Sequence, residues 1–248
     1  MYNENKFFSL SSSTLKLLAF LTMLIDHTGF LLFPDQIWLR CVGRIAFPIF
    51  AFQIAEGYLY TKNYKKYAKR LLLFSLISEI PFNLMVSGNL FYPYAQNVLF
   101  TLFLGLFAIK LVDQIKQCDT FREILKPLLL LTLIFLFAKY FSADYGTSGI
   151  AMILVFYIFR NFSFCQLGQL IALYFINVIH MNSLSMDFQI AGFSFSFPLQ
   201  GFAVLALIPI WMYNGRKGYN GKYFRRLSYL FYPVHMFILY IIYIFCFS

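Results

Sequence analysis

The stretch TLKLLAFLTMLIDHTGFLLF, Thr14 to Phe33, decides the fold class. Only Lys16, Asp26 and His27 in it can ionise. As a helix rising about 1.5 Å per residue, it is long enough to cross the roughly 30 Å of a bilayer's hydrocarbon. No A-x-A-like cleavage site follows it, so it reads as a first membrane helix and not as a removed signal peptide. Comparable apolar runs lie at about 42 to 60, 68 to 87, 97 to 115, 125 to 141, 147 to 160, 165 to 181, 198 to 213 and 229 to 247. The expected fold is therefore all-α: a polytopic integral membrane protein of about nine transmembrane helices. The sixth run is the shortest, opened by Gly146 and Gly149 and closed by Asn161, and a re-entrant segment is the alternative there.

Composition agrees with that reading. Hydrophobic residues make up 60% of the 248 and charged residues 12%, against about 25% charged in soluble domains. Mean hydropathy is +0.70. These values exclude an ordinary soluble enzyme, a disordered chain and a secreted disulfide scaffold, and the alternation of a transmembrane β-barrel is absent. Cys41, Cys118, Cys165 and Cys246 form no CxxC pair and read as apolar packing. The longest connections, about 182 to 197 and 214 to 228, are too short to fold alone, so residues 1–248 read as a single transmembrane domain.

The net charge of +10 is a matter of sidedness. Assigning connections alternately to two sides puts every Lys and Arg on one side except Arg40, Arg44 and Lys139. The positive-inside rule then places the N-terminus in the cytoplasm and the C-terminus outside. The location expected is the plasma membrane, multi-pass. Anionic lipid is the partner of the basic connections, and nucleic acid has no place.

Ionisable side chains inside spans cost about 2.5 to 3.5 kcal/mol and mark functional sites. Lys16 and His27 are 11 residues apart, on one stripe of the first helix and about 16.5 Å from each other. A cation at the cytoplasmic mouth and an imidazole deeper in suit an anionic donor that delivers a group inward. Asp26 points about 100° away from His27 and can instead brace Arg44 of the second helix. Pro48 is expected to kink that helix beside a cavity into which Arg44 projects its donors. Glu56 either lines the passage or pairs with the basic second connection. Glu79, followed by Pro81, is expected to break the third helix, and Asn97 with Thr101 forms a polar face on the fourth; interhelical hydrogen bonding is the plainer role for each. Asp144, beside Tyr145 and Gly146, makes an acceptor-side or merely solvated loop. Arg225 and Arg226 either set topology or hold phosphates. His235, with Tyr232 a turn earlier, is expected in the inner third of the last helix, lining the cytoplasmic half of a tunnel or simply packed.

Several stretches carry a family likeness: Lys16 to Gly29 (KLLAFLTMLIDHTG), Gly43 to Tyr60 (GRIAFPIFAFQIAEGYLY), Ser75 to Phe82 (SLISEIPF), Asn97 to Gly105 (NVLFTLFLG), Asp144 to Gly149 and Tyr229 to His235 (YLFYPVH). Together they resemble the TraX family of F-pilin acetylation proteins, and more loosely the polytopic membrane acyltransferases that use acetyl-CoA. In that wider group a basic residue recurs ten intervening positions ahead of a His on the first helix, as Lys16 and His27 stand here. The resemblance implies acetyl transfer with His27 as catalytic base or acyl relay.

The reading is then an integral membrane acyltransferase that moves an acetyl group from cytoplasmic acetyl-CoA to an amine or hydroxyl at the extracytoplasmic face. The acceptor is a pilin-like protein, a peptide or a cell-envelope glycan. His27 and Asp26 are the catalytic candidates, and Lys16, Arg225, Arg226 and His235 the donor-binding ones. Arg44, Glu56, Glu79, Asn97, Asp144 and Tyr232 line the passage or meet substrate. A thioester is already activated, and no metal is expected. The alternative is a transporter or proton-coupled channel that uses Asp26, His27, Glu56 and Glu79. An assembly or anchoring protein without chemistry is the third reading.

Overall fold

The computed structural model describes residues 9–161, 164–181, 183–190 and 193–247, which leaves Lys6 outside. Helix α1 (Ser12–Leu31) begins where Ser11 Oγ accepts the amide of Thr14 at 3.2 Å, satisfying one of the free N–H groups of the first turn. A short α2 (Ile37–Gly43) and α3 (Ala46–Tyr60) follow. The break falls at Arg44 and Ile45, ahead of Pro48 where the kink was expected. Pro48 has no N–H for the carbonyl of Arg44 and its ring crowds that group, so the chain opens there and Pro48 settles in the first turn of α3.

Helix α4 (Tyr64–Ser87) is capped by Asn63, whose Oδ1 accepts the amide of Lys66 at 2.8 Å, and ends at Gly88 in the left-handed conformation, φ 72°. It runs unbroken through Pro81, contrary to expectation; the proline removes only the donor for the Ile77 carbonyl. Then come α5 (Val98–Lys116), α6 (Phe121–Tyr140), α7 (Gly146–Ile158) and α8 (Cys165–Tyr174), which continues as a wider π-helical turn over Phe175–His180. The connection at about 182 to 197, too short to fold alone, contains a pair of strands. Strands β1 (Ser185–Ile190) and β2 (Phe193–Pro198) pair antiparallel with Phe188 opposite Phe195, so all-α describes the chain apart from this pair. A 3-10 segment (Leu199–Ala206), α9 (Leu207–Trp211) and α10 (Lys222–Phe247) complete the chain.

Helix makes up 76% of the structure. Of the nine expected spans, five are long and apolar enough to cross a membrane among the described residues: α1, the α2–α3 pair, α4, α5 and α10. Gly146–Ile158, Cys165–His180 and Leu199–Trp211 are shorter apolar helices. Helix α6 carries Arg122, Glu123, Lys126 and Lys139, and it buries only Pro127 and Ala138.

Helix α3 sits innermost, with Phe47, Ile49, Phe52 and Ile54 buried against α1, α5 and α7. Small residues Ala19, Ala51 and Ala55 let these helices approach closely. Two backbone ties set the ends. The amides of Leu10 and Ser12 donate to the carbonyls of Met212 (2.8 Å) and Arg216 (2.9 Å), which joins the start of α1 to the segment leading into α10. At the other end Gln96 bridges to Ala143. The first tie gathers basic residues at one end of the bundle, and the second holds the Asp144 loop against the start of α5.

Candidate functional site

Helices α1 and α2 cross closely at Gly43, where a Cβ would lie 2.1 Å from Asp26 Oδ1 and 2.2 Å from Asp26 Cβ. Only glycine permits that approach. It places the Asp26 carboxylate between two guanidinium groups: Oδ2 accepts from Arg40 Nη1 at 2.6 Å and Oδ1 from Arg44 Nη2 at 2.8 Å. Arg44 Nη1 continues the network to Gln200 Oε1 at 3.2 Å, and Gln200 Nε2 donates to Asn177 Oδ1 at 3.1 Å. The Asp26–Arg44 brace is therefore formed, with Arg40 as a second cation. Both carboxylate oxygens are engaged, so Asp26 orients the two arginines.

Asp26, Arg40 and Arg44 line a cavity of about 450 Å³ together with His27, Asp144, Tyr145 and Tyr232. Tyr145 is held in the left-handed region, φ 61°, with its ring stacked on Phe47 at 3.8 Å between centroids. A strained non-glycine residue at a cavity wall is a common mark of a functional loop. Its amide donates to Asp144 Oδ1 at 3.0 Å, while the Asp144 carbonyl accepts from Thr101 Oγ1. Loss of solvation pushes the Asp144 carboxyl up to about 6, with the Arg44 guanidinium pulling it back.

His27 faces the other way, toward α10. Its Nδ1 lies 2.7 Å from Nε2 of His235, and His235 Nδ1 lies 2.7 Å from the carbonyl oxygen of Phe231. The two ring planes are within 7° of each other. His235 was expected in the inner third of its helix. Because α10 starts at Lys222, well before the expected residue 229, His235 sits near mid-helix, level with His27. The added turns, KYFRRLS, are helical but not apolar, so hydropathy could not show them.

A second cavity, of about 420 Å³, opens at the end where α1, α4 and α10 begin. Its walls carry Lys16, Lys62, Arg70, Lys217 and Arg225. Aromatic faces are interleaved with them: Arg70 lies over the rings of Tyr229 (5.4 Å) and Tyr67 (6.0 Å), and Lys16 over Phe224 (5.9 Å). Arg70 Nε is buried and has no hydrogen-bond partner among the described residues. A polyanion carrying a flat ring system fits such a wall. The two cavities have Met23, Phe50, Val98 and Tyr232 in common, so they meet at a shared partition between the basic end and the Asp26 cluster.

A family profile described as "TraX protein" matches residues 11–243, nearly the whole chain. The chain belongs to the TraX family. It is 33% identical to the "Probable fimbrial assembly protein FimC, serogroup H1" of Dichelobacter nodosus, over 91% of this chain and 93% of that protein. It is 28% identical to "Uncharacterized protein RP591" of Rickettsia prowazekii (strain Madrid E), over 73% of this chain and 69% of that one. No solved structure matches it significantly. The TraX match begins at the Ser11 cap of α1 and extends past His235, so it spans both cavities and the histidine pair.

Within this TraX chain the remaining candidates separate by place. Glu56 lies on the wall of the basic cavity and receives Arg160 Nε at 2.6 Å, a partner from beyond α7 and not from the second connection. Glu79 and Asn97 lie outside both cavities and hold each other: Asn97 Nδ2 donates to Glu79 Oε2 and to the Ser75 carbonyl (2.8 Å), and its Oδ1 caps α5. Arg225 lines the basic cavity, while Arg226 and His235 are absent from its wall. Sequence reasoning missed Arg40, Arg70, Lys217, Tyr145 and Gln200. Arg40 had a signal, standing four residues before Arg44 on the same helical face. Arg70 counts in the sequence as a topological charge, Tyr145 stands there only as the neighbour of Asp144, and nothing in the sequence marks Gln200.

Proposed function

We propose that this TraX-family chain is a multi-pass plasma-membrane acyltransferase. It takes acetyl from acetyl-CoA bound in the basic, cytoplasmic cavity and gives it to an amine or hydroxyl that enters the other cavity from outside. The observation that carries the reading is the position of His27 on the wall of the outer cavity, just beyond the partition that the cavities share. Lys16, Lys217 and Arg225 would hold the donor's phosphates through charge-assisted bonds, with Arg70 and its tyrosines against the nucleotide. In the reaction the acceptor heteroatom bonds to the thioester carbonyl carbon, the carbon–sulfur bond breaks, and the acceptor's proton passes to His27 and then to the departing thiolate. Atoms and charge balance without a further reactant. A base so placed contributes about 10² to 10⁴ in rate.

The Asp26–Arg40–Arg44 cluster with Asp144 and Tyr145 forms the acceptor side. A pilin-like subunit is the first acceptor to test, because a relative bears a fimbrial assembly name; peptides and envelope glycans are the others. The experiment is acetyl transfer by purified protein in lipid nanodiscs, given radiolabelled acetyl-CoA and a panel of pilin peptides, amines and sugars. Transfer should require His27, and His27→Ala should lower it by about 10² or more while the protein still inserts. Absence of transfer to every acceptor, or undiminished transfer by His27→Ala, would overturn the assignment.

A further inference from the structure

We infer that His235 is a positioning residue that holds His27 in the tautomer with a free, basic Nε2. Its consequence for catalysis rests on the acyltransferase reading, but the geometry stands without it. The Phe231 carbonyl can only accept, so the His235 nitrogen 2.7 Å away, Nδ1, carries a proton. In the neutral ring Nε2 then has a lone pair, and that lone pair faces His27 Nδ1 at 2.7 Å. The proton between the rings belongs to His27 Nδ1, which leaves His27 Nε2 as the nitrogen able to accept. With no acceptor opposite Nδ1, nothing would keep the proton off Nε2, and the ring could not act as a base from that atom.

The surroundings fit an orienting role. His235 is 5% exposed and lies on neither cavity wall, so it does not meet substrate. Its ring is fixed by stacking on Phe231 (centroids 4.9 Å, planes 15° apart) and by the edge of Tyr232 (5.8 Å). Phe231 in turn stacks on Phe20 of α1 at 4.6 Å, an α1–α10 contact two turns from His27 and one turn from His235. A chain of carbonyl, His235 and His27 thus runs from the α10 backbone to the cavity. A second-sphere partner that sets a histidine's tautomer in this way is a general device.

The chain has 3 histidines, so nitrogen NMR of the full-length protein, labelled on histidine and held in nanodiscs, resolves each ring. Wild type should show His27 protonated at Nδ1 and bare at Nε2. His235→Gln, whose amide oxygen can accept the same proton, should keep that pattern and keep acetyl transfer within about fivefold. His235→Leu should move the His27 proton to Nε2 in a large share of molecules. It should also lower kcat by about 10² while KM for acetyl-CoA changes less than about twofold. A wild-type His27 with its proton on Nε2, or a His235→Leu spectrum unchanged at His27, overturns the inference. If His235→Leu does not fold, the wild-type spectrum and His235→Gln still decide. The expected spectrum in a protein that transfers acetyl to nothing leaves the tautomer established and removes the acyltransferase reading instead.

Discussion

At the residue scale, Asp26 and His27 are neighbours in the chain with separate tasks, because successive helical side chains point about 100° apart. Asp26 turns to α2 and pairs with Arg40 and Arg44, while His27 turns to α10 and meets His235. Removing one partner of a buried ion pair leaves uncompensated charge, at a cost of about 3 kcal/mol or more. Asp26→Asn should therefore lower the thermal midpoint in detergent by several degrees, measured by scanning fluorimetry, and more than His27→Ala does. Equal midpoints would mean that the arginines find other partners. The Asp26–Arg44 pairing was legible from the chain, since both residues are costly in a membrane and each needs the other. The His27–His235 bond was not, since 208 residues separate the two and helical periodicity says nothing of which helix lies opposite.

At the element scale, two helix contacts carry the site. The α1–α2 crossing depends on Gly43, and Gly43→Ala must drive the helices apart or displace Asp26. A loss of about 1 to 3 kcal/mol is expected, as for an overpacked core, seen as reduced thermal stability with insertion retained. The convergence of α1, α4 and α10 at their starts builds the basic cavity. Lys16→Gln, Arg70→Gln or Arg225→Gln should each weaken binding of a non-hydrolysable acetyl-CoA analogue by about 10- to 100-fold, which corresponds to one charge-assisted bond. Arg226→Gln, off the cavity wall, should change it less than about threefold. Calorimetry on the solubilised protein checks this, and no saturable binding in wild type would remove the donor site altogether. Arg70 illustrates why the sequence fell short here. Its charge was visible, but its stacking on Tyr229 depends on α10 lying against α4.

At the scale of the whole molecule, the chain's own cysteines test the orientation. Cys118 follows α5 at the basic end, and Cys246 stands at the far end of α10. In single-cysteine variants an impermeant maleimide should label Cys118 from the cytoplasmic side and Cys246 from outside; labelling of both from one side would overturn the N-in, C-out arrangement. The sequence by itself determined that the chain is built of long apolar helices, which end bears the positive charge, and which buried polar groups must find partners. Hydropathy, charge and desolvation are properties of single residues and short windows, so they can be read along the chain. Tertiary structure alone decided that Asp26 takes two arginines, that the two histidines lie within hydrogen-bond distance, and that two cavities meet at Met23, Phe50, Val98 and Tyr232. Those facts depend on which helix faces which and at what depth, and both are set by close packing over the whole bundle, where the start of α10 about two turns earlier than hydropathy shows puts His235 beside His27 and not on a tunnel wall.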